Sequence, residues 1–308
     1  MKKVIITGAN GFIGRNLVRL FSKKDFIVYA LVRKGSNCKH ILELDNVNII
    51  NFEFEKLDLL ENILPNNIDL LYHLAWVGVD TNLKNYEEMQ LKNIDYSLKM
   101  LKLADKLKVK KIIYPGSVSE YAYNDKLLSG FDVPSPTDFY SASKVAVHYI
   151  CDLYARQHNL NFVWALISSV YGPGREDNNL ITYTIKSLLN SEVPSFTKLE
   201  QRWDYIYIED LIDALYKIGE SYNCSNIYPI GSGEDRTLFE YVEIIRNIIN
   251  RNLKLGIGKL PYKSNRIDNS IVDIERLEKD TGFRALYPFE IGIEITIEYF
   301  KQKMGDID

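Results

Sequence analysis

Thr7-Gly8-Ala9-Asn10-Gly11-Phe12-Ile13-Gly14 is the stretch whose reading decides the fold. A short β-branched run, Lys3–Thr7, leads into it, and apolar residues at helical spacing over 12–24 follow it. A strand that ends on three glycines and turns straight into a helix implies a dinucleotide-binding unit. Bare Cα atoms allow a tight turn and a close approach to a pyrophosphate. The helix start offers that anion free N–H groups and a partial positive charge. The spacing is G-x-x-G-x-x-G, and Gly8, Asn10, Gly11, Phe12, Ile13 and Gly14 are the expected cofactor contacts.

The same alternation continues outward. Further strands are expected over residues 27–32, 47–54, 70–74, 111–114 and 162–167, with a long helix near 89–103 and another over 140–157. Strands alternating with helices predict an α/β fold, a doubly wound parallel sheet covered on both faces. After Tyr171-Gly172-Pro173-Gly174 the rhythm changes to helices near 180–189, 210–219 and 238–249, separated by short strand-like pieces. This predicts a nucleotide-binding domain over 1–168 and a mainly substrate-binding lobe over 169–308, with some later segments returning to the first sheet. Residues 289–297 alternate like a strand, whereas the resemblance described below implies a helix, the expectation adopted there.

The end of the second strand bears on the cofactor. Leu31-Val32-Arg33-Lys34-Gly35-Ser36 has no carboxylate for ribose hydroxyls. Arg33, Lys34 and Ser36 suit a 2′-phosphate instead, so NADPH/NADP is the preferred cofactor, with NADH/NAD possible. Asp58-Leu59, after the third strand, is expected at the adenine edge. Leu74-Ala75-Trp76, after the fourth, is expected beneath the adenosine and pyrophosphate.

Ser117, then Tyr140-Ser141-Ala142-Ser143-Lys144, supply the chemistry. A tyrosine has a pKa of about 10 and is a poor base at neutral pH. A lysine four residues on shares its helix face, and its charge is expected to lower that pKa. Tyr140 would then exchange a proton with a substrate oxygen that Ser117 holds, while Lys144 also meets the cofactor ribose. Asn93 is either part of a polar relay or a structural amide.

The bulk composition narrows the classes. With 308 residues and a net charge of −3, the chain recommends neither a nucleic-acid nor a membrane-surface partner. Met1-Lys2-Lys3 leads into a buried strand rather than a signal peptide, which predicts a cytoplasmic protein. Cys38, Cys151 and Cys224 are expected to be free thiols. The scattered histidines form no metal-ligand pattern, so no metal is expected.

Together these motifs resemble the extended short-chain dehydrogenase/reductases, the family of nucleotide-sugar epimerases, dehydratases and reductases. The likeness also takes in His73-Leu74-Ala75, Val170-Tyr171-Gly172-Pro173-Gly174 and Trp203-Asp204-Tyr205-Ile206-Tyr207-Ile208-Glu209-Asp210. It implies a modified Rossmann fold, a small C-terminal lobe for a nucleoside-diphosphate sugar, and a homodimer built on two helices per subunit. Dehydratases of the family carry carboxylates directly after the catalytic Ser/Thr. Here Val118 and Ser119 stand there, and Glu120 comes one place later, so dehydration is disfavoured. Ser169 occupies the place of a substrate-binding Asn. Ser117, Val118, Ser119, Tyr140 and Ser169 are the implied substrate contacts, and Ser169, like Asn93, Tyr140 and Lys144, is also an expected cofactor contact; Arg175, Arg202 and Arg266 are candidates for the substrate diphosphate, since guanidinium matches phosphate oxygens, and are equally readable as surface residues.

Gly116-Ser117-Val118-Ser119-Glu120-Tyr121 and Glu200-Gln201-Arg202-Trp203-Asp204-Tyr205 resemble a subgroup of 4-keto-6-deoxy-sugar reductases. That subgroup includes dTDP-4-dehydro-6-deoxyglucose reductase and CDP-abequose synthase. The expected function is NADPH-dependent reduction at C4 of such a sugar, for surface polysaccharide or O-antigen. The alternatives are a 4-epimerase that retains NAD and a non-catalytic NADP-sensing regulator.

Overall fold

Val4 and Ile6 point to one side of the first strand and Ile5 to the other, and all three are fully buried. Period-two side chains with apolar residues on both sides require a sheet covered on both faces. The computed structural model describes residues 1–79, 83–123, 126–222, 225–262 and 269–305. Its first half runs β1 (Lys3–Thr7), α1 (Phe12–Lys23), β2 (Ile27–Arg33), β3 (Val47–Phe52), β4 (Leu70–His73), α2 (Glu87–Lys106), β5 (Lys111–Ser117), α3 (Phe139–Gln157) and β6 (Phe162–Ile167). A 3-10 segment, Phe54–Asn62, follows β3, and a 3-10 turn, Val118–Glu120, follows β5.

The second half runs β7 (Ser169–Tyr171), α4 (Leu180–Leu189), β8 (Arg202–Trp203), β9 (Tyr205–Tyr207), α5 (Ile208–Glu220), β10 (Ile227–Ile230), β11 (Arg236–Thr237), α6 (Leu238–Asn250), α7 (Glu275–Thr281) and α8 (Phe289–Gly305). Seven strands form one sheet in the order β10-β6-β5-β4-β1-β2-β3. Every pairing in it is parallel. The fold is Rossmann-like, and β10 returns to the sheet beside β6 from deep in the second half. Two small ladders, β7 with β9 and β8 with β11, lie outside it.

The strand order reverses between β1 and β4. The loops leaving those two strands diverge and open a crevice at the carboxyl edge. Ser117 pairs in register with Ile167, so the end of β5 and the start of β7 meet on that same edge.

Residues 289–297 are helical. Phe289, Gly292, Ile293, Thr296, Ile297 and Phe300 are buried at spacings of three and four, whereas Ile291 and Ile295 are exposed. The exposed isoleucines created the strand-like alternation. Among the described residues no helix is long and apolar enough to cross a membrane.

Candidate active site

Gly8 sits at φ +64°, and a Cβ there would stand 2.9 Å from the Ala75 nitrogen. A Cβ on Gly14 would stand 2.2 Å from the Gly8 carbonyl oxygen, so α1 rests directly on the turn. Gly11 precedes α1 with no side-chain cap, and the first turn holds no carboxylate. Its N–H groups are therefore left for an outside anion. Asn10, Phe12 and Ile13 are half-buried around this turn.

A cleft of about 390 Å³ lies over the ends of β2, β3 and β4, lined by Arg33, Lys34, Phe54, Val77, Met89 and Tyr96 among others. Ser36 closes a tight turn there, its N–H donating to Arg33 O at 3.0 Å. A glycine turn on an uncapped helix beside such a cleft fits a dinucleotide, pyrophosphate at the helix start and adenosine in the cleft.

Asp58 and Leu59 are not at this cleft. Both are exposed in the 3-10 segment, and Phe52–Glu55 line the cleft in their place. The apolar alternation runs to Phe54, but β3 ends at Phe52. Glu53 and Phe54 were thus missed, although an acidic residue directly after a strand is a legible signal.

Leu74, Ala75 and Trp76 leave β4 beside the glycine turn. Thr7 Oγ1 accepts from Ala75 N at 3.0 Å and bonds His73 Nδ1 at 2.9 Å. Burial first, then the Lys144 charge, pushes His73 down to about 3, so its ring is neutral. Asn93 Oδ1 accepts from Val77 N at 2.9 Å, and its Nδ2 donates to Val77 O at 2.8 Å. Both ends of the amide hold the loop after β4.

Ser117 caps the 3-10 turn. Its N–H donates to Glu120 Oε1 at 2.7 Å, and its hydroxyl bonds Ser119 Oγ at 2.8 Å. Val118 is buried in the core below. Asp138 caps α3, accepting from Ser141 N at 2.7 Å. Tyr140 and Lys144 then stand one turn apart on the same helix face. Tyr140 N donates to Lys84 O at 2.9 Å, and Lys84 Nζ lies 4.8 Å from the Tyr140 ring centre. No sequence signal pointed to Lys84.

The electrostatics correct one expectation. Burial pushes the Tyr140 phenol up to about 12, while the nearby Ser117 hydroxyl favours its ionised form. Lys144 Nζ lies 5.8 Å from the Tyr140 ring centre. Burial lowers Lys144 itself, opposed by the nearby Glu120 carboxylate. Lys144 Nζ donates to Pro115 O at 2.8 Å and lies over the Trp76 ring.

Of the other implied contacts, Arg175 lies close enough for its charge to act on Tyr140. Ser169 Oγ accepts from Trp203 Nε1 at 2.8 Å, just beyond the edge that carries Ser117. Arg175 bonds Asp177 at 2.8 Å and the Val170 carbonyl. Arg202 is exposed and bonds Asp235 at 2.5 Å. Arg266 and Cys224 lie outside the described residues. Cys38 and Cys151 are free thiols.

The pattern of the NAD dependent epimerase/dehydratase family matches residues 4–231. The chain is similar to dTDP-4-dehydro-6-deoxyglucose reductase of Escherichia coli, 26% identical over 97% of this chain and 98% of that one. It is also similar to CDP-abequose synthase of Salmonella muenchen, 26% identical over 95% of this chain and 96% of that one. A solved UDP-N-acetylglucosamine 4-epimerase from Methanobrevibacter ruminantium M1, in complex with UDP-N-acetylmuramic acid, superposes with a TM-score of 0.88 at 24% identity, covering 98% of this chain and 99% of that one.

Proposed function

The chain belongs to the NAD dependent epimerase/dehydratase family, and from that premise we propose that it reduces the C4 keto group of a nucleoside-diphosphate 4-keto-6-deoxyhexose with NADPH. One observation carries this reading. The Ser117 and Tyr140 hydroxyls share the edge of the crevice, and the two positions after Ser117, Val118 and Ser119, present no carboxylate to it. Without a carboxylate pair there, elimination of water has no acid and base. Two full-length relatives named for reductase and synthase activities on such sugars support the same class.

Tyr140 is protonated at neutral pH and serves as the acid. It gives its phenolic proton to the C4 oxygen, and the nearby Ser117 hydroxyl favours the phenolate left behind. Ser117, fixed by its own cap, orients the carbonyl. Lys144 brings positive charge to the same wall and the expected contact to the ribose. Gly8, Gly11, Gly14 and the cleft would hold a nicotinamide cofactor, which when bound would supply the hydride to carbon. Arg33 and Lys34 at the end of β2 support NADP(H), because guanidinium and ammonium groups favour a 2′-phosphate over free hydroxyls.

The same side chains serve a 4-epimerase that retains NAD, and the test separates the two. Purified protein is offered 4-keto-6-deoxy sugars on dTDP, CDP, GDP and UDP while NADPH absorbance is followed. Loss of one NADPH per product on one nucleotide is the expected result. Tightly bound NAD with activity needing no added reductant means an epimerase; NADP binding without any turnover means a regulator. A homodimer in the cytoplasm, feeding surface polysaccharide synthesis, completes the reading. Exposed Tyr149, Ile150 and Leu153 on α3 and Leu91 on α2 support the dimer.

A further inference from the structure

Lys144 and Glu120 are both buried, at 4% and 0% exposure. Their polar ends bracket the last three residues of β5. Lys144 Nζ donates to Pro115 O at 2.8 Å, and Glu120 Oε1 accepts from Ser117 N at 2.7 Å. Between them, a Cβ on Gly116 would stand 2.9 Å from Glu120 Oε1. Glu120 Oε2 is buried and makes no hydrogen bond among the described residues. Among the described residues Lys144 donates to one carbonyl and lies over the Trp76 and Tyr140 rings, few partners for an ammonium. A buried charge so poorly solvated depends on an opposite charge nearby.

We propose that Glu120 is the buried counter-ion of Lys144, a positioning residue that holds Lys144 as an ammonium and so acts on the proton chemistry of Tyr140 without touching substrate. The proposal rests on the reading of Tyr140 and Lys144 given above.

Neighbouring groups do not offer an alternative. From β4, His73 is pushed down to about 3 by burial, and on α3, His148 is pushed down to about 4 by burial. On α3, Tyr140 and Cys151 are each pushed up to about 12, burial leading for both. From β5 and the 3-10 turn, burial raises Tyr114 and Tyr121. The buried face of α2 brings Gln90, Asn93 and Ser97, which do not ionise, and Tyr96, raised to about 12 by burial. Asp138 and Arg175 act on Tyr140. Among the described residues, Glu120 is the charged group that acts on Lys144. Burial raises it, and Lys144 opposes that rise.

The test is direct titration of the full chain by NMR with labelled lysine, Lys144 being assigned from Lys144→Met. Glu120→Gln keeps an acceptor for Ser117 N–H and removes the charge. The Lys144 midpoint should fall by about one pH unit or more, and the alkaline limb of turnover should move with it. An unchanged midpoint overturns the proposal. Should Glu120→Gln not fold, the reciprocal measurement decides: in Lys144→Met the Glu120 carboxyl, followed with labelled glutamate, should titrate about one unit or more higher, and an unmoved carboxyl overturns the pair. If the midpoints shift while no nucleotide sugar is reduced, the pair stands and the proposed reaction fails.

Discussion

Lys144 Nζ lies 3.8 Å above the centre of the Trp76 ring and 5.8 Å from that of Tyr140. The same indole meets the Tyr140 ring edge-on, with centroids 5.8 Å apart, and donates to Gln90 Oε1 at 2.9 Å. Trp76 thus joins the loop after β4 to the lysine and the tyrosine of α3. Trp76→Ala should cut turnover about tenfold or more, in line with the ~1–2 kcal/mol of a desolvated cation–ring contact. Trp76→Phe should restore most of it. Equal rates for the two variants would count against the contact.

Tyr140→Phe removes the acid and leaves the ring in place. Turnover should fall by about 10²–10⁴-fold, while cofactor affinity stays within a few-fold by fluorescence titration. Near-normal turnover would rule out the proton donor.

Gly8→Ala asks an L side chain to adopt φ +64° and meet the Ala75 backbone at 2.9 Å. The strain should lower stability by about 2–3 kcal/mol and weaken cofactor binding more than tenfold. Thermal melts with and without cofactor separate the two effects.

Arg33→Ala should raise the KM for NADPH by roughly tenfold, one lost charge-assisted contact, and leave that for NADH nearly unchanged. A parallel loss with both cofactors would remove the 2′-phosphate role.

Acid should destabilise this protein through His148. Its ring stacks on Trp164 with centroids 4.8 Å apart, and burial pushes it down to about 4 from the usual 6.5. The unfolded chain binds the proton more tightly, so this stability is fully present above about pH 6.5 and is lost as pH falls toward about 4. His148→Phe keeps the stack and removes the titration. Its melting temperature should fall less steeply over that window; an identical slope would assign the acid sensitivity elsewhere.

Most strands of the sheet were legible because each ends where apolar alternation meets a glycine or a polar turn. Asp58 and Leu59 show the failure of that rule: alternation ran past the point where hydrogen bonding to β2 stops. Ile291 and Ile295 show another, since exposed apolar residues imitate strand periodicity on a helix. Glu120 stands in a motif legible in the sequence, yet its burial was not visible there.

Local sequence by itself determined the turn at Gly8–Gly14, the spacing of Tyr140 and Lys144 on one helix face, and the alternation that builds the sheet. These depend on backbone geometry and side-chain period, which neighbouring residues carry. Only the tertiary structure decided that Lys144 sits on Trp76, that burial raises the Tyr140 phenol, and that Glu120 is buried against the end of β5. Those outcomes depend on which distant elements exclude water from a charge, and electrostatic free energy in a packed interior is a property of the surroundings rather than of the residue.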